Sequence, residues 1–257
     1  MGGALSRLDE AVSASVAGVS DGAETAMPKL SLILPTLNEA VDIGATLEAL
    51  QPLRWRGVEI LVVDGGSADR TTAIASPLSD AVITAPRGRA AQMNAGAARA
   101  RGDVLLFLHA DTRLPPDADR LILDGLAVSG RSWGRFDVAI ASSHPLLRLA
   151  AGLMNRRSRL TGIATGDQAI FVRRDVFQSC GGYPNLPLME DIAISGVLKR
   201  VGRPLCLSQQ VVTSARRWER QGVVRTIFLM WRLRLAYFLG ADPAQLAERY
   251  GYPVKKS

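Results

Sequence analysis

Residues Asp103–Thr112 read DVLLFLHADT, and the fold class follows from them. Five apolar residues, Val104 to Leu108, run without a polar break. That is the pattern of a strand buried on both faces of a parallel sheet. The run ends abruptly in His109, Ala110 and Asp111. Ligands of open α/β sheets bind beyond the carboxyl ends of the strands, so a carboxylate there is well placed for a site. Asp111 also suits a turn cap, because Thr112 to Pro116 reads as a loop.

Upstream the same arrangement recurs. Leu30 to Leu34 (LSLIL) is a short strand that Pro35 stops, since proline has no N–H to donate. Thr36, Asn38 and Glu39 follow, with Asn38 as expected N-cap of a helix through Leu50. Val58 to Val63 is a second buried strand ending in Asp64, and Gly65, Gly66 and Ser67 turn the chain. Asp69 opens a helix. Ala81 to Thr84 is a weaker strand, and Arg87 to Arg101 an alanine-rich helix carrying Arg89, Gln92 and Asn94. Strands alternating with helices at this spacing predict an α/β fold with a Rossmann-like, mostly parallel sheet and flanking helices. Three carboxyl ends then converge on one edge, bearing Thr36 and Asn38, Asp64, and Asp111.

Signatures of other cofactor sites are absent from the sequence. GxGxxG does not follow the first strand, and neither GxxxxGK[ST] nor GxSxG occurs. A second DxD spelling, Asp117-Ala118-Asp119, sits at a proline-initiated helix start and reads as structural. Further on, Trp133 to Ile140 reads as a strand and His144 to Leu160 as a helix. Thr165 to Gln168 precede a short strand, Ala169 to Val172. Gly181, Gly182 and Tyr183 form a turn, and Met189-Glu190-Asp191 opens a helix to Val201.

The 257 residues suffice for one large α/β domain or two small ones, and a hydrophobic content of 47% suits a globular chain. The net charge of +7 points to an anionic partner. From Lys199 to Ser257 twelve Lys or Arg face three Asp or Glu, so more than the whole excess lies there. Few aromatics interleave with the basic residues, so nucleic acid is not expected as a partner. Cys180 and Cys206 read as free thiols in a reducing compartment. Two histidines without HExxH exclude a histidine-rich zinc site. Residues 1–27 lack the pattern of a signal peptide and read as a disordered tail, with Met27 as an alternative start. No run of 18 apolar residues predicts a membrane span, and the expected location is cytoplasmic.

Taken in order and spacing, SLILPTLNEA, LVVDGGSADRT, LLFLHADT, GDQAIFV, EDIAIS and SARRW resemble family-2 glycosyltransferases of the GT-A fold. The resemblance covers about Lys29 to Trp218. Its continuation to Tyr250 is similar to a bacterial branch linked with arsenosugar biosynthesis. The resemblance implies one catalytic domain over 28–220 and an inverting, hexosyl-type transferase using a nucleotide-diphosphate sugar, by family default a uridine one. Donor binding is then implied for Pro35, Thr36, Asn38, Glu39, Asp64, Gly65, Arg89, Asn94, Ala110, Asp111, Arg217 and Trp218. Gly166, Asp167 and Gln168 are implied at the sugars. Asp191 is the implied general base, with Glu190 beside it. Asp111, with His109, is the implied holder of a divalent cation, Mn2+ or Mg2+.

Two positions depart from the family pattern. His109 replaces one carboxylate of the metal motif, and imidazole favours softer transition metals over magnesium. Ser214-Ala215-Arg216-Arg217-Trp218 keeps only the Arg-Trp end of (Q/R)xxRW. The chemistry agrees with the resemblance. A departing diphosphate needs its charge neutralised by metal and arginines, and the attacking hydroxyl needs a carboxylate to take its proton. Two readings compete: a nucleotidyltransferase, which lacks its glycine-rich loop in PTLNEA, and a non-catalytic sugar-nucleotide-binding protein with a decayed site.

Residues 221–257 read as a helical extension. Within it Val223 to Leu239 is largely apolar but carries Arg225, Arg232 and Arg234, too costly for a bilayer core. It either packs on the domain with its arginines snorkelling or lies in an anionic membrane interface, at the inner face of the plasma membrane. The acceptor is accordingly a small molecule or a lipid.

Overall fold

A computed structural model describes residues 29–251, with Arg217 described in its backbone only. The expected tail, 1–27, lies outside the described residues. Eight strands build one sheet: β1 (Leu30–Thr36), β2 (Glu59–Asp64), β3 (Ala81–Thr84), β4 (Val104–Phe107), β5 (Thr112–Arg113), β6 (Trp133–Ala141), β7 (Phe171–Arg173) and β8 (Leu205–Ser214). Their order is β3-β2-β1-β4-β7-β6-β8-β5. Pairs β1–β2, β1–β4, β2–β3 and β6–β8 are parallel, whereas β7 runs antiparallel to β4 and β6, and β5 antiparallel to β8. The helices are α1 (Ile43–Trp55), α2 (Thr71–Ala75), α3 (Arg89–Arg99), α4 (Ala118–Ser129), α5 (Pro145–Thr161), α6 (Arg174–Ser179), α7 (Glu190–Val201), α8 (Arg216–Gln221), α9 (Val223–Phe238) and α10 (Pro243–Tyr250).

The unbroken apolar runs have a direct cause. Alternate residues of one strand enter different cores. Leu32, Leu34, Ile60 and Val62 pack with Ile43, Leu47 and Leu50 of α1 on one face. Ile33, Leu61 and Val63 pack with Met93 and Ala97 of α3 on the other, where Ile194 and Leu198 of α7 join them. Helix α3 comes so close that a Cβ on Gly96 would lie 2.5 Å from Ile33 Cγ2.

Several elements differ from the sequence expectation. Strand β1 does not stop at Leu34 but runs through Pro35 to Thr36, paired with Asp64. Ile33 faces β4, accepting from Leu108 N at 3.0 Å, so Pro35 faces the same way. The β4 ladder has ended there, and the missing N–H costs no bond. Asn38 is not a helix cap; α1 begins five residues later, after Asp42. Thr112, read as loop, pairs as part of β5 with Thr213 of β8. Strand β8 itself carries no sequence signal, because Ser208, Gln209 and Gln210 are exposed in its middle.

The DAD spelling is spent on the fold. Asp119 is clamped by Arg56 through two bonds of 2.8 Å, while Asp117 is exposed. The Arg56 guanidinium holds the Asp119 carboxyl below its ordinary range. A depressed pKa contributes stability above the unfolded value, about 3.9, and loses it as pH falls through the folded one. Asp119→Asn is therefore expected to lower stability by about 0.5–1 kcal/mol at pH 7. In urea titrations the two proteins should converge as pH falls through the folded-state pKa of Asp119, and Asp117→Asn should be silent.

Candidate active site

The loops after β1 and β2 hold each other. Asn38 takes up a left-handed conformation, φ 55°, which asparagine tolerates. Its Oδ1 accepts from Ala68 N at 2.9 Å, and its N–H donates to Ser67 Oγ at 2.8 Å. Glu39 N donates to Thr71 Oγ1 at 2.8 Å, and Ala40 N to Asp69 at 3.2 Å. Beneath them Gln92 of α3 is buried and donates to both Thr36 O and Val63 O at 2.8 Å. A Cβ on Gly65 would lie 3.1 Å from that amide, which accounts for glycine there.

These strand ends open onto a cavity of about 1760 Å³. Pro35, Thr36, Asn38 and Glu39 line it after β1, Gly65 after β2, Arg87 and Arg89 at the start of α3, and His109, Ala110 and Asp111 after β4. Trp218 and Arg216, ion-paired to Asp42, close its far side. Asp111 is held by its backbone, which accepts from Ser214 N at 3.2 Å. Burial and the Asp111 carboxylate push the Glu39 carboxyl above its usual range, against the pull of Arg216. Two carboxylates thus repel one another at the cavity mouth.

A second pocket, about 60 Å³, shares Arg89, His109, Asp167, Met230 and Tyr250 with the first. Thr165, Gly166 and Asp191 line it from the domain, and Leu233 and Arg234 from α9. Asp191 accepts from Gly166 N at 2.9 Å and from Ile192 N at 2.7 Å. Glu190 points elsewhere: it is 2% exposed and pairs with Arg89 Nε at 2.8 Å. Burial raises its pKa despite that arginine. His109 turns Nδ1 to Asp167 Oδ1 at 3.6 Å. Burial lowers the imidazole's pKa, but Asp167 and Asp111 outweigh it and raise the net value. A Cβ on Gly166 would meet His109 Nε2 at 2.5 Å. Arg157 of α5 stands behind Asp191, its pKa pushed down to about 10 by burial and by Arg234.

Not every residue implied by the resemblance lines these two cavities. Asp64 is 3% exposed, and its oxygens accept from Gly66 N, Ser67 N and Ser67 Oγ, so it holds the turn. Asn94 clips Tyr183 through Tyr183 O and N at 2.8 and 2.9 Å. Gln168 is buried against Thr165 N and Asn155. The Arg217 side chain lies outside the described residues. Met230, Arg234 and Tyr250, which do line the pocket, had no signal beyond an arginine set beside an apolar run.

Among the described residues no group of three or more His, Cys, Asp or Glu is placed to hold a metal by itself. The donor set nevertheless fits a cation that takes part of its shell from substrate phosphates, as magnesium-like ions do with one or two carboxylates. The Asp111 carboxylate raises the cost of ionising Glu39 there, and a cation would relieve it.

Solved structures with this fold are glycosyltransferases of the GT-A class. The mannosyltransferase PcManGT of Pyrobaculum calidifontis, in complex with GDP-Man and Mn2+, superposes with a TM-score of 0.60 at 20% identity, over 89% of this chain and 70% of its own. Glucosyl-3-phosphoglycerate synthase of Mycobacterium tuberculosis, in complex with Mn2+ and UDP, gives 0.56 at 20% identity, over 90% and 83%. Residues 31–178 match the model of Glycosyl transferase family 2, and the chain belongs to that family. The probable glycosyltransferase YdaM of Bacillus subtilis is 28% identical over 83% of this chain and 55% of its own length. The chain spans about half the length of the curated relatives it matches.

Proposed function

We propose that the chain moves a sugar from a nucleotide-diphosphate sugar, uridine-linked by preference, to an acceptor hydroxyl with inversion. The carrying observation is the division of the acids: Asp111 on the large cavity, Asp191 in the adjoining pocket, with His109 and Asp167 shared between them. The nucleotide lies along the ends of β1 and β2. Asp111, supported by His109, holds Mn2+ or Mg2+, which when bound supplies charge neutralisation to the diphosphate. Asp191 takes the acceptor proton as the hydroxyl oxygen bonds to the anomeric carbon. The bond from that carbon to the diphosphate oxygen breaks on the opposite side, which inverts the centre. Arg234, which lines the pocket beside Asp191, favours an acceptor with an anionic group near the attacking hydroxyl.

A panel of UDP- and GDP-sugars, with and without manganese, tests this by thermal shift and hydrolysis. A donor at 100 times its dissociation constant should add about 2.7 kcal/mol of stability. No stabilisation by any donor sinks the reading; stabilisation with no turnover toward water or any acceptor favours the non-catalytic one. Gly166→Ala is expected to push His109 aside and lower turnover by about 10- to 100-fold. An unchanged kcat in that variant would show that the His109 position is immaterial.

A further inference from the structure

Helices α5 and α9 each turn an apolar face outward. On α9 the exposed residues are Val224, Phe228, Trp231, Leu235 and Phe238, between 52% and 67% accessible. Their spacings of four and three residues bring them to one side of the helix, opposite the buried Thr226 and Leu233. On α5, Leu146, Leu149, Leu153 and Leu160 are 38% to 70% exposed, away from the buried Leu147, Ala151 and Ser158. The helices are neighbours: Leu147 and Ala151 share an apolar cluster with Val223, and Arg157 of one faces Arg234 of the other. At about 100° per residue, both exposed stripes fall just beyond these two arginines, turning away from the core. They therefore share one outer side of the molecule.

The charge of this side is of one sign. Neither α5 nor α9 contains an acidic residue. Arg148, Arg156, Arg225 and Arg232 are exposed along them, while Arg159 turns to Asp137 of β6. A second copy of the chain would bring the same arginines against each other, which disfavours self-association. Among the described residues no helix is long and apolar enough to cross a membrane. An apolar stripe edged by arginines, with Trp231 exposed in it, is the arrangement that lies in an anionic lipid interface.

We infer that the outer side of α5 and α9 docks on an anionic phospholipid bilayer. None of its exposed apolar side chains lines either cavity, so the surface is independent of the catalytic reading. The inner side of α9 contributes Met230, Leu233 and Arg234 to the pocket at Asp191. Docking therefore brings the acceptor side close to the lipid headgroups.

The test is sedimentation of the full chain with vesicles of pure phosphatidylcholine or with 30% phosphatidylglycerol added, in low and high salt. Binding to the anionic vesicles, weakened by salt and absent from the neutral ones, is expected. Arg225→Gln with Arg232→Gln should lower partitioning by about 25-fold, near fivefold per arginine, with an unchanged melting temperature. Phe228→Ser with Trp231→Ser should also lower it, because the apolar contact is lost. Equal binding to both vesicle types overturns the inference. So does a protein that stays in the supernatant at low salt, whether because another segment or a second copy covers the face. Indifference of partitioning to both double variants overturns it as well.

Discussion

An Asp191→Asn variant is expected to lose roughly 10²–10⁴ in transfer rate, the usual scale for removing a general base. The substitution keeps the shape and one accepting oxygen, which can serve Gly166 N while the bond from Ile192 N is given up, so the pocket should persist. Donor affinity, read by thermal shift with manganese, should stay within about threefold of wild type, because the loss falls on a proton transfer made only in the transition state. Glu190 behaves differently. Its carboxylate is buried and paired with the half-exposed Arg89, so Glu190→Gln removes the charge from the interior side of that pair. That is expected to lower stability by about 1–2 kcal/mol, less than for a fully buried pair because Arg89 keeps contact with solvent. If Glu190→Gln folds normally and is dead while Asp191→Asn turns over, the two roles are reversed.

The second large effect belongs to Asp111. Asp111→Asn retains the backbone bond to Ser214 and removes one carboxylate from the cavity mouth. Turnover is expected to fall at least about a hundredfold, as for losing one main electrostatic stabiliser. The manganese concentration giving half-maximal rate should rise in parallel, which a metal titration of initial rates reads directly. A variant with unchanged rate and unchanged manganese dependence would move the cation elsewhere, with Glu39, whose carboxyl feels Asp111, as the alternative holder. His109→Asn tests the partner role. Since the imidazole is turned to Asp167 at 3.6 Å, its removal should disturb Asp167 as well as the cation.

The order of these two effects separates the site's halves. Loss at Asp111 should be felt by donor hydrolysis and by transfer alike, because both break the diphosphate bond. Loss at Asp191 should fall on acceptor transfer more than on metal dependence.

Local sequence is enough for the β1, β2 and β4 half of the sheet and for the ends that bear the cavity. Unbroken apolar strands report burial on both faces, and the residues that end them are local in the chain. It also placed Glu190 and Asp191 at the start of α7. Which of the two faces the pocket depends on packing, since adjacent helical positions point about 100° apart and Arg89 selects Glu190 from a distant helix. Asp64 and Asn94 lie beside the site in sequence, but long-range and turn partners consume them. Strand β8 was illegible because its exposed polar middle carries no period, and only its ladder with β6 makes it a strand. The roles of α9 were split in the same way. Apolar residues on both of its faces read as one undifferentiated run, and packing against Ile192 and Leu246 alone separates the face that lines the pocket from the face left outside.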